Sequence, residues 1–216
     1  IIITRIFLGK EDQYRFKEKF GFYSKNNNIK DTVWIHGASV GEILSIVPII
    51  QKFEEDKKIR KILITSSTTS SSYIFSKFKF KKTIHQFYPI DHFYFTDKFL
   101  NYWMPDLAIY IESEIWPCMF KKLNERNINL ILLNARFTKK TFNRWMKIKG
   151  FFKSVLENVT IAYPQNLETR NYLKKMKINN IKLIGNIKFA ENNIKVNEKL
   201  SESLNTELGK KKIWVA

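Results

Sequence analysis

The chain has 216 residues, 44% of them hydrophobic, and a formal net charge of +18. That is enough apolar material for a sizeable core, which excludes disorder along the whole length, and the basic excess points to polyanionic partners: nucleic acid, anionic lipid or a phosphorylated substrate. The single cysteine, Cys118, excludes an internal disulfide framework and a thiolate-only metal cage, and no apolar run reaches the ~20 residues of a bilayer-spanning helix.

In chain order, residues 10–23 read as an amphipathic helix carrying Tyr14, Phe16, Phe20 and Phe22. Val33 to His36 is a short apolar run, as a strand buried on both faces would be, and Ile43, Ile46, Val47, Ile50 and Phe53 follow at helical spacing. The alternation continues with a strand at 62–65, a Ser/Thr-rich turn at 66–72, a helix over 70–78, a strand at 84–88 and the turn Pro89-Ile90-Asp91. A helix at 92–103 precedes the strand 107–111. Glu112 to Pro117 then turns into a helix ending near Arg126. A strand at 130–133, a long basic helix over 139–156, a strand at 159–162, a helix at 166–176 and a strand at 181–184 complete the main body. Residues 189–197 read as a linker, 198–209 as a helix, and a strand opens at Ile213. The chain starts at Ile1 without Met and stops inside that strand, which reads as a fragment cut at both ends. Short apolar strands separated by helices predict an α/β fold of βαβ units around a parallel sheet, with ligands bound where strands end and helices begin.

Abundant Lys, Asn and Ile with little Gly and Pro is the signature of AT-rich codon choice, so part of the positive charge is compositional. Its distribution is more informative. Residues 121–153 hold ten Lys or Arg against one acid, Glu125, which is half the net charge in 33 residues. This stretch, with Lys139, Lys140 and Arg144 at its centre, is either a solvated helix face or an anion-binding one.

Five segments just after strands are candidates for chemistry: Pro89 to Asp91, to which no particular role is given, and the four that follow. In His36-Gly37-Ala38-Ser39-Val40-Gly41-Glu42, Gly37 and Gly41 permit a tight turn and a close approach to a ligand, and the helix start that follows favours anions. Ser39 and Glu42 form a capping box, with Glu42 reaching back to the N–H of Ser39. Glu42 is equally a carboxylate suited to take a proton, once desolvation raises its affinity against the field of the helix N-terminus. The two roles are not expected from the same oxygens without strain. Glu112-Ser113-Glu114 sets two carboxylates past a buried strand. Glu114 suits stabilisation of the next helix, and Glu112 suits a cleft. Arg136, in Asn134-Ala135-Arg136, can bridge a carboxylate or phosphate with two bonds or serve a surface ion pair. Lys188, in Gly185-Asn186-Ile187-Lys188, offers a charge or is simply solvated. His36, His85 and His92 show no ligand spacing, so zinc has no support. There is no phosphate loop or dinucleotide fingerprint, no His partner for Ser39, and no RNA-binding pattern among the aromatics.

Taken in order, these segments resemble the 3-deoxy-D-manno-octulosonic acid (Kdo) transferase family. The resemblance rests on Lys19-Phe20-Gly21-Phe22-Tyr23, Trp34 to Glu42, Tyr88 to Asp91, Pro105-Asp106-Leu107, Glu112 to Pro117, Asn134-Ala135-Arg136, Ala162 to Asn166, Gly185 to Phe189 and Ile213 to Ala216. Thr138 and Thr141 stand where serines are usual, Ala190 replaces an acid, and Gly37 replaces a small side chain. None of these removes a candidate catalytic residue.

The resemblance implies a GT-B glycosyltransferase of two Rossmann-like domains. Residues 1–30 would be a membrane-proximal segment, with Ile1 to Leu8 the remnant of an apolar anchor. Residues 31–188 would form the acceptor-binding domain, and 189–216 the linker and the start of the donor domain. It implies inverting transfer of Kdo from CMP-Kdo to lipid IV(A), without cofactor, metal or nucleic acid, at the cytoplasmic face of an inner membrane. Glu42 would be the proton acceptor. Glu112 and Lys188 would stabilise the transition state, and Ser39, Gly41, Arg136, Lys139, Lys140 and Arg144 would bind substrate. The competing reading is a basic α/β module that binds nucleic acid or anionic membrane without catalysis.

Overall fold

The computed structural model describes residues 4, 11–23, 31–189, 206 and 209. The expected helix at 198–209 (apart from 206 and 209), the strand opening at Ile213, the linker beyond Phe189 and the apolar stretch Ile1 to Leu8 (apart from Thr4) lie outside these.

Six strands form one sheet: β1 Thr32–His36, β2 Lys61–Ser66, β3 Thr83–Phe87, β4 Leu107–Ile111, β5 Asn129–Ala135 and β6 Ile161–Pro164. Every pairing is parallel and the spatial order is β3-β2-β1-β4-β5-β6. The order reverses between β1 and β4, the topological switch point of a doubly wound Rossmann-like sheet. Asp106 locks this junction. Its Oδ2 accepts from Thr32 N at 2.8 Å, and its own N–H donates to Thr32 O at 2.9 Å.

Alternation along the strands divides the core. Trp34, Leu63, Ala108, Tyr110, Leu130 and Leu132 point to one face. There they meet α3 (Phe93–Trp103), α4 (Pro117–Glu125), α5 (Lys139–Met146), α6 (Lys149–Leu156) and α7 (Leu167–Lys175). Val33, Ile35, Ile62, Ile64, Ile109 and Ile111 point to the other, against Ile43, Ile46 and Ile50 of α1 (Val40–Glu55) and Phe75 of α2 (Thr69–Ser76). Those three isoleucines of α1 are fully buried, each contributing on the order of 1.5–3 kcal/mol by leaving water. Trp34 is fully buried against Tyr88, Phe99 and Tyr110, and its indole N–H donates to Thr65 Oγ1 at 2.9 Å.

Three expectations need correction. First, helix within the described residues 11–23 is confined to a 3-10 turn, Phe16–Phe20. Asp12 Oδ1 accepts from Tyr14 N and Arg15 N, both at 2.9 Å, and so competes with helical bonding, while Gly21 ends the turn at φ 78°. Tyr14 and Phe22 are exposed rather than part of one apolar stripe. Second, the long basic helix is two helices, broken at Lys147 and Ile148. The break lets Trp145 fold back and stack on Phe152, with ring centroids 4.0 Å apart. Third, the strand at 181–184 reduces to one bridge, Ala162 with Ile181, and Leu183 and Ile184 are exposed among the described residues. The strand expected at 159–162 forms two residues later, as β6.

The segment 11–23 docks along β3. Arg15 pairs with Glu18 at 2.7 Å and donates to His85 O at 2.9 Å, and Glu18 Oε2 accepts from Phe87 N at 2.9 Å. His85 Nε2 lies 2.8 Å from Ser66 Oγ. Burial, then the Arg15 charge, push the His85 pKa down to about 3. The folded state therefore rejects a proton that the unfolded chain accepts below about pH 6.5, so stability is lost as the pH falls. The stability advantage of wild type over His85→Gln should shrink by about 1 kcal/mol between pH 7.5 and 5.5 in urea unfolding. A pH-independent difference would refute this.

Candidate active site

At the switch point the loops after β1 and β4 lie side by side. After β1, Ser39 caps α1: its Oγ accepts from Glu42 N at 3.3 Å and donates to Glu42 Oε1 at 2.7 Å. Glu42 Oε2 accepts from Ala38 N at 2.9 Å. The cap thus engages the N–H of Ala38 rather than that of Ser39. It also employs both carboxylate oxygens while leaving each a lone pair, so capping and proton acceptance are compatible after all. The side chain is buried at 8% exposure. Burial pushes the Glu42 pKa up. The bonds from Ser39 and Ala38 pull it down, and the charges of Glu114 and Glu112 push it up again.

After β4, Glu112 adopts φ 58°, a left-handed conformation costly for a side chain other than glycine. Its Oε1 meets Lys188 Nζ at 2.6 Å. Lys188 is carried there by a 3-10 turn, Ile187–Phe189, that packs against α1. The turn is latched by Asn134, which is fully buried, bulges out of β5 at φ 55° and accepts from Ile187 N at 3.2 Å. Glu42, Glu112 and Lys188 therefore share one neighbourhood on the rim of the sheet. Two hollows of about 470 and 480 Å³ are lined by other residues, one under Phe93, Lys121 and Phe151 and one beside Val40 and Tyr73.

Residues 14–191 match the family described as 3-deoxy-D-manno-octulosonic-acid transferase. The chain belongs to the Kdo transferase family. It is 39% identical to the 3-deoxy-D-manno-octulosonic acid transferase of Rickettsia bellii, over 94% of this chain and 50% of that protein. It is 30% identical to a probable mitochondrial 3-deoxy-D-manno-octulosonic acid transferase of Arabidopsis thaliana, over 96% of this chain and 48% of that one. The chain thus spans about half the length of these curated relatives. Among solved structures it is similar to the UDP-GlcNAc 2-epimerase of Neisseria meningitidis, with a TM-score of 0.55 at 12% identity over 82% of this chain and 53% of that one. It is likewise similar to UDP-N-acetylglucosamine 2-epimerase from Rickettsia bellii, with a TM-score of 0.52 at 11% identity over 83% and 48%. At that identity the likeness shows the fold alone: one Rossmann-like half of the GT-B class.

The other residues singled out in the sequence of this family member fall into two groups. Arg136 is exposed, but its carbonyl accepts from Ser113 Oγ, which ties it to the Glu112 loop. Gly41 is exposed in the first turn of α1 with open space around it, and its backbone does not require glycine. Gly37 is the constrained one, since a Cβ there would sit 3.2 Å from Glu42 Cβ. Lys139, Lys140 and Arg144 are exposed on α5, and no contact joins them to the Glu42, Glu112 and Lys188 group among the described residues.

The roles of three residues were not foreseen from sequence. Asn134 was noted only as the neighbour of Arg136. Asp91 caps α4 from another loop, accepting from Met119 N at 2.9 Å and Cys118 N at 3.1 Å, and so fills the role assigned to Glu114. Glu114 instead turns inward, its Oε2 3.0 Å from Trp116 Nε1 and 3.4 Å from His36 Nε2. A polar residue directly after a strand was the available signal for Asn134, which tolerates left-handed backbone. Asn134→Ala should destabilise the chain by about 1–2 kcal/mol in urea unfolding and speed hydrogen exchange at the Ile187 amide. Unchanged exchange would show that the latch does not hold Lys188.

Proposed function

We propose that this chain is the acceptor-side half of an inverting glycosyltransferase that moves Kdo from CMP-Kdo to lipid IV(A), and that it does not transfer Kdo alone. One observation carries the reading: a buried carboxylate of raised proton affinity, Glu42, stands beside an ion pair, Glu112 with Lys188, at the switch point where such sheets bind ligands. A sugar hydroxyl is a poor nucleophile, and Glu42 takes its proton as the oxygen attacks the anomeric carbon of Kdo. The bond from that carbon to the CMP phosphate breaks on the opposite side, inverting the configuration. Negative charge grows on the departing phosphate while positive charge grows on the sugar ring.

Lys188 spends one N–H on Glu112 and has two more for the phosphate. Glu112 holds the ammonium in place and offers its charge to the ring. The protein's own cation meets the leaving phosphate, so the reading calls for no metal. Ser39 and Gly41 border the site, and Arg136, Lys139, Lys140 and Arg144 are assigned to the acceptor's two phosphates. The same basic surface suits an anionic cytoplasmic leaflet of the inner membrane.

Glu42→Gln, in the chain completed by its donor half, should reduce Kdo transfer by at least about 100-fold while lipid IV(A) binding persists. If the variant transfers normally, and neutralising Lys139, Lys140, Arg144 and Lys147 alone abolishes function, the chain is a binding module. Kdo turnover by residues 1–216 without the donor half would contradict the proposed division of labour.

A further inference from the structure

A third hollow, of about 320 Å³, opens on the carboxyl rim of the sheet and has no role in the reaction proposed above. Ser67, just after β2, Tyr88 to Asp91, just after β3, and Trp116, at the end of the loop after β4, line it. Because every strand is parallel, this rim is the one that carries Glu42 and Glu112, and Trp116 stands on the same loop as Glu112. The remaining lining is Glu11 and Lys19, from the segment docked along β3. Lys19 fastens that segment to the hollow: its carbonyl accepts from Ile90 N at 2.9 Å, and its Nζ donates to Ser67 O at 3.3 Å.

The rings and charges of this hollow select its ligand. The Trp116 indole N–H is spent on Glu114 Oε2 at 3.0 Å, and the indole leans on Tyr88, with ring centroids 4.9 Å apart. The Tyr88 hydroxyl is bonded to that of Tyr110 at 3.0 Å, so neither aromatic needs a polar partner from a ligand. What Trp116 offers is π surface in a fixed orientation. The C–H face of a sugar ring is apolar and faintly positive, which suits the negative face of an aromatic ring. Hydroxyls at the edge of the sugar need acceptors. Asp91 is held in place by the N–H groups of Cys118 and Met119, at 3.1 and 2.9 Å, and its carboxylate keeps lone pairs for a hydroxyl. Charge excludes the anionic alternatives. Lys19 is paired with Glu11 at 2.5 Å, both largely buried, so these two cancel and Asp91 leaves the lining with a negative balance. A phosphate, a nucleotide or a sugar acid is repelled there. The volume stands at the low end of the about 300–1,000 Å³ of small-molecule sites, and suits one ring with its substituents.

We propose that this hollow is the acceptor's sugar subsite: one neutral pyranose ring of the lipid-borne disaccharide lies on Trp116, with its hydroxyls toward Asp91. This rests on the acceptor being lipid IV(A), whose phosphates stay with the basic residues assigned above. Trp116 thereby fixes where the attacking hydroxyl stands on the rim shared with Glu42.

Binding of micellar lipid IV(A) is measured on the 216-residue chain, without donor or turnover, in wild type, Trp116→Leu, Trp116→Phe and Ser67→Phe. The last fills the hollow and leaves Trp116 alone. Trp116→Leu and Ser67→Phe should weaken binding by about tenfold, and Trp116→Phe by no more than about threefold. Phosphatidylglycerol vesicles, anionic but without a sugar ring, should bind all four equally. In wild type, the Trp116 ring resonances should move on addition of lipid IV(A) and not on addition of the vesicles. Trp116 resonances that ignore lipid IV(A) overturn the proposal, whether or not the variants fold. So does undiminished binding by folded Trp116→Leu or Ser67→Phe, a Phe variant at position 116 as weak as the Leu variant, or an equal loss on the vesicles. In the enzyme completed by its donor half, Trp116→Leu should raise the KM for lipid IV(A) and spare that for CMP-Kdo; the reverse puts the donor's sugar in the hollow and overturns the proposal. A wild-type chain that binds lipid IV(A) no better than the vesicles fails the acceptor reading itself, whereas one that binds it with Trp116 and Ser67 indifferent fails only the subsite.

Discussion

The parallel pairing of β1 with β4 is the contact on which the rest of the site depends. These strands are separated in sequence by two complete βα units, yet His36 lies in register with Tyr110. Only this pairing brings the loop bearing Glu42 beside the loop bearing Glu112 and Glu114. The junction is secured from both ends: Asp106 bonds Thr32 where the strands begin, and Glu114 faces His36 where they end. Closing such a long loop costs chain entropy. It is offset by the fully buried aromatic cluster around Trp34 on one face and the isoleucine layer on the other.

Electrostatically, the site concentrates three carboxylates and one ammonium at a place where a neutral surface would be more stable. Glu112 and Asn134, at the ends of adjacent strands, both take left-handed backbone conformations. Strain at two neighbouring strand ends is characteristic of sites where geometry matters more than stability. One consequence is that Lys188, 41% exposed at its side chain, is placed by buried groups rather than by its own packing. The bulge in β5 sets Asn134, Asn134 sets Ile187, and Ile187 sets its neighbour.

Much of the fold was legible because strands buried on both faces appear as unbroken apolar runs. Trp34-Ile35, Ile62-Leu63-Ile64 and Ala108 to Ile111 are of this kind, and helix-period residues between them mark the crossovers. Of the proposed site residues, Glu112 was legible as the position directly after a strand, Glu42 as part of the helix start that follows one, and Lys188 through the resemblance of its surrounding motif to one family, since the strand expected before it does not form. What escaped was decided at long range. Asp91 caps a helix that starts 26 residues later in the chain, at Pro117. No local pattern reports that His36 will face Glu114, or that the basic helix will break in two with Trp145 stacked on Phe152. The aromatic residues near the start of the chain promised a helix, but a side chain of Asp12 took the bonds a helix would have needed.

The short segment that docks along β3 also has a bearing on solubility. An outermost strand offers unpaired backbone groups to any other extended chain, and a parallel six-stranded sheet has two such borders. Here Arg15 occupies the carbonyl of His85 and Glu18 occupies the amide of Phe87, the outward-facing groups of β3. At the opposite border, Asn180 O and Lys182 N close on Ala162 for the length of a single bridge. Both margins are thus partly covered, by charged side chains at β3 and by a single bridge at β6, which reduces the backbone template they offer for edge-to-edge pairing.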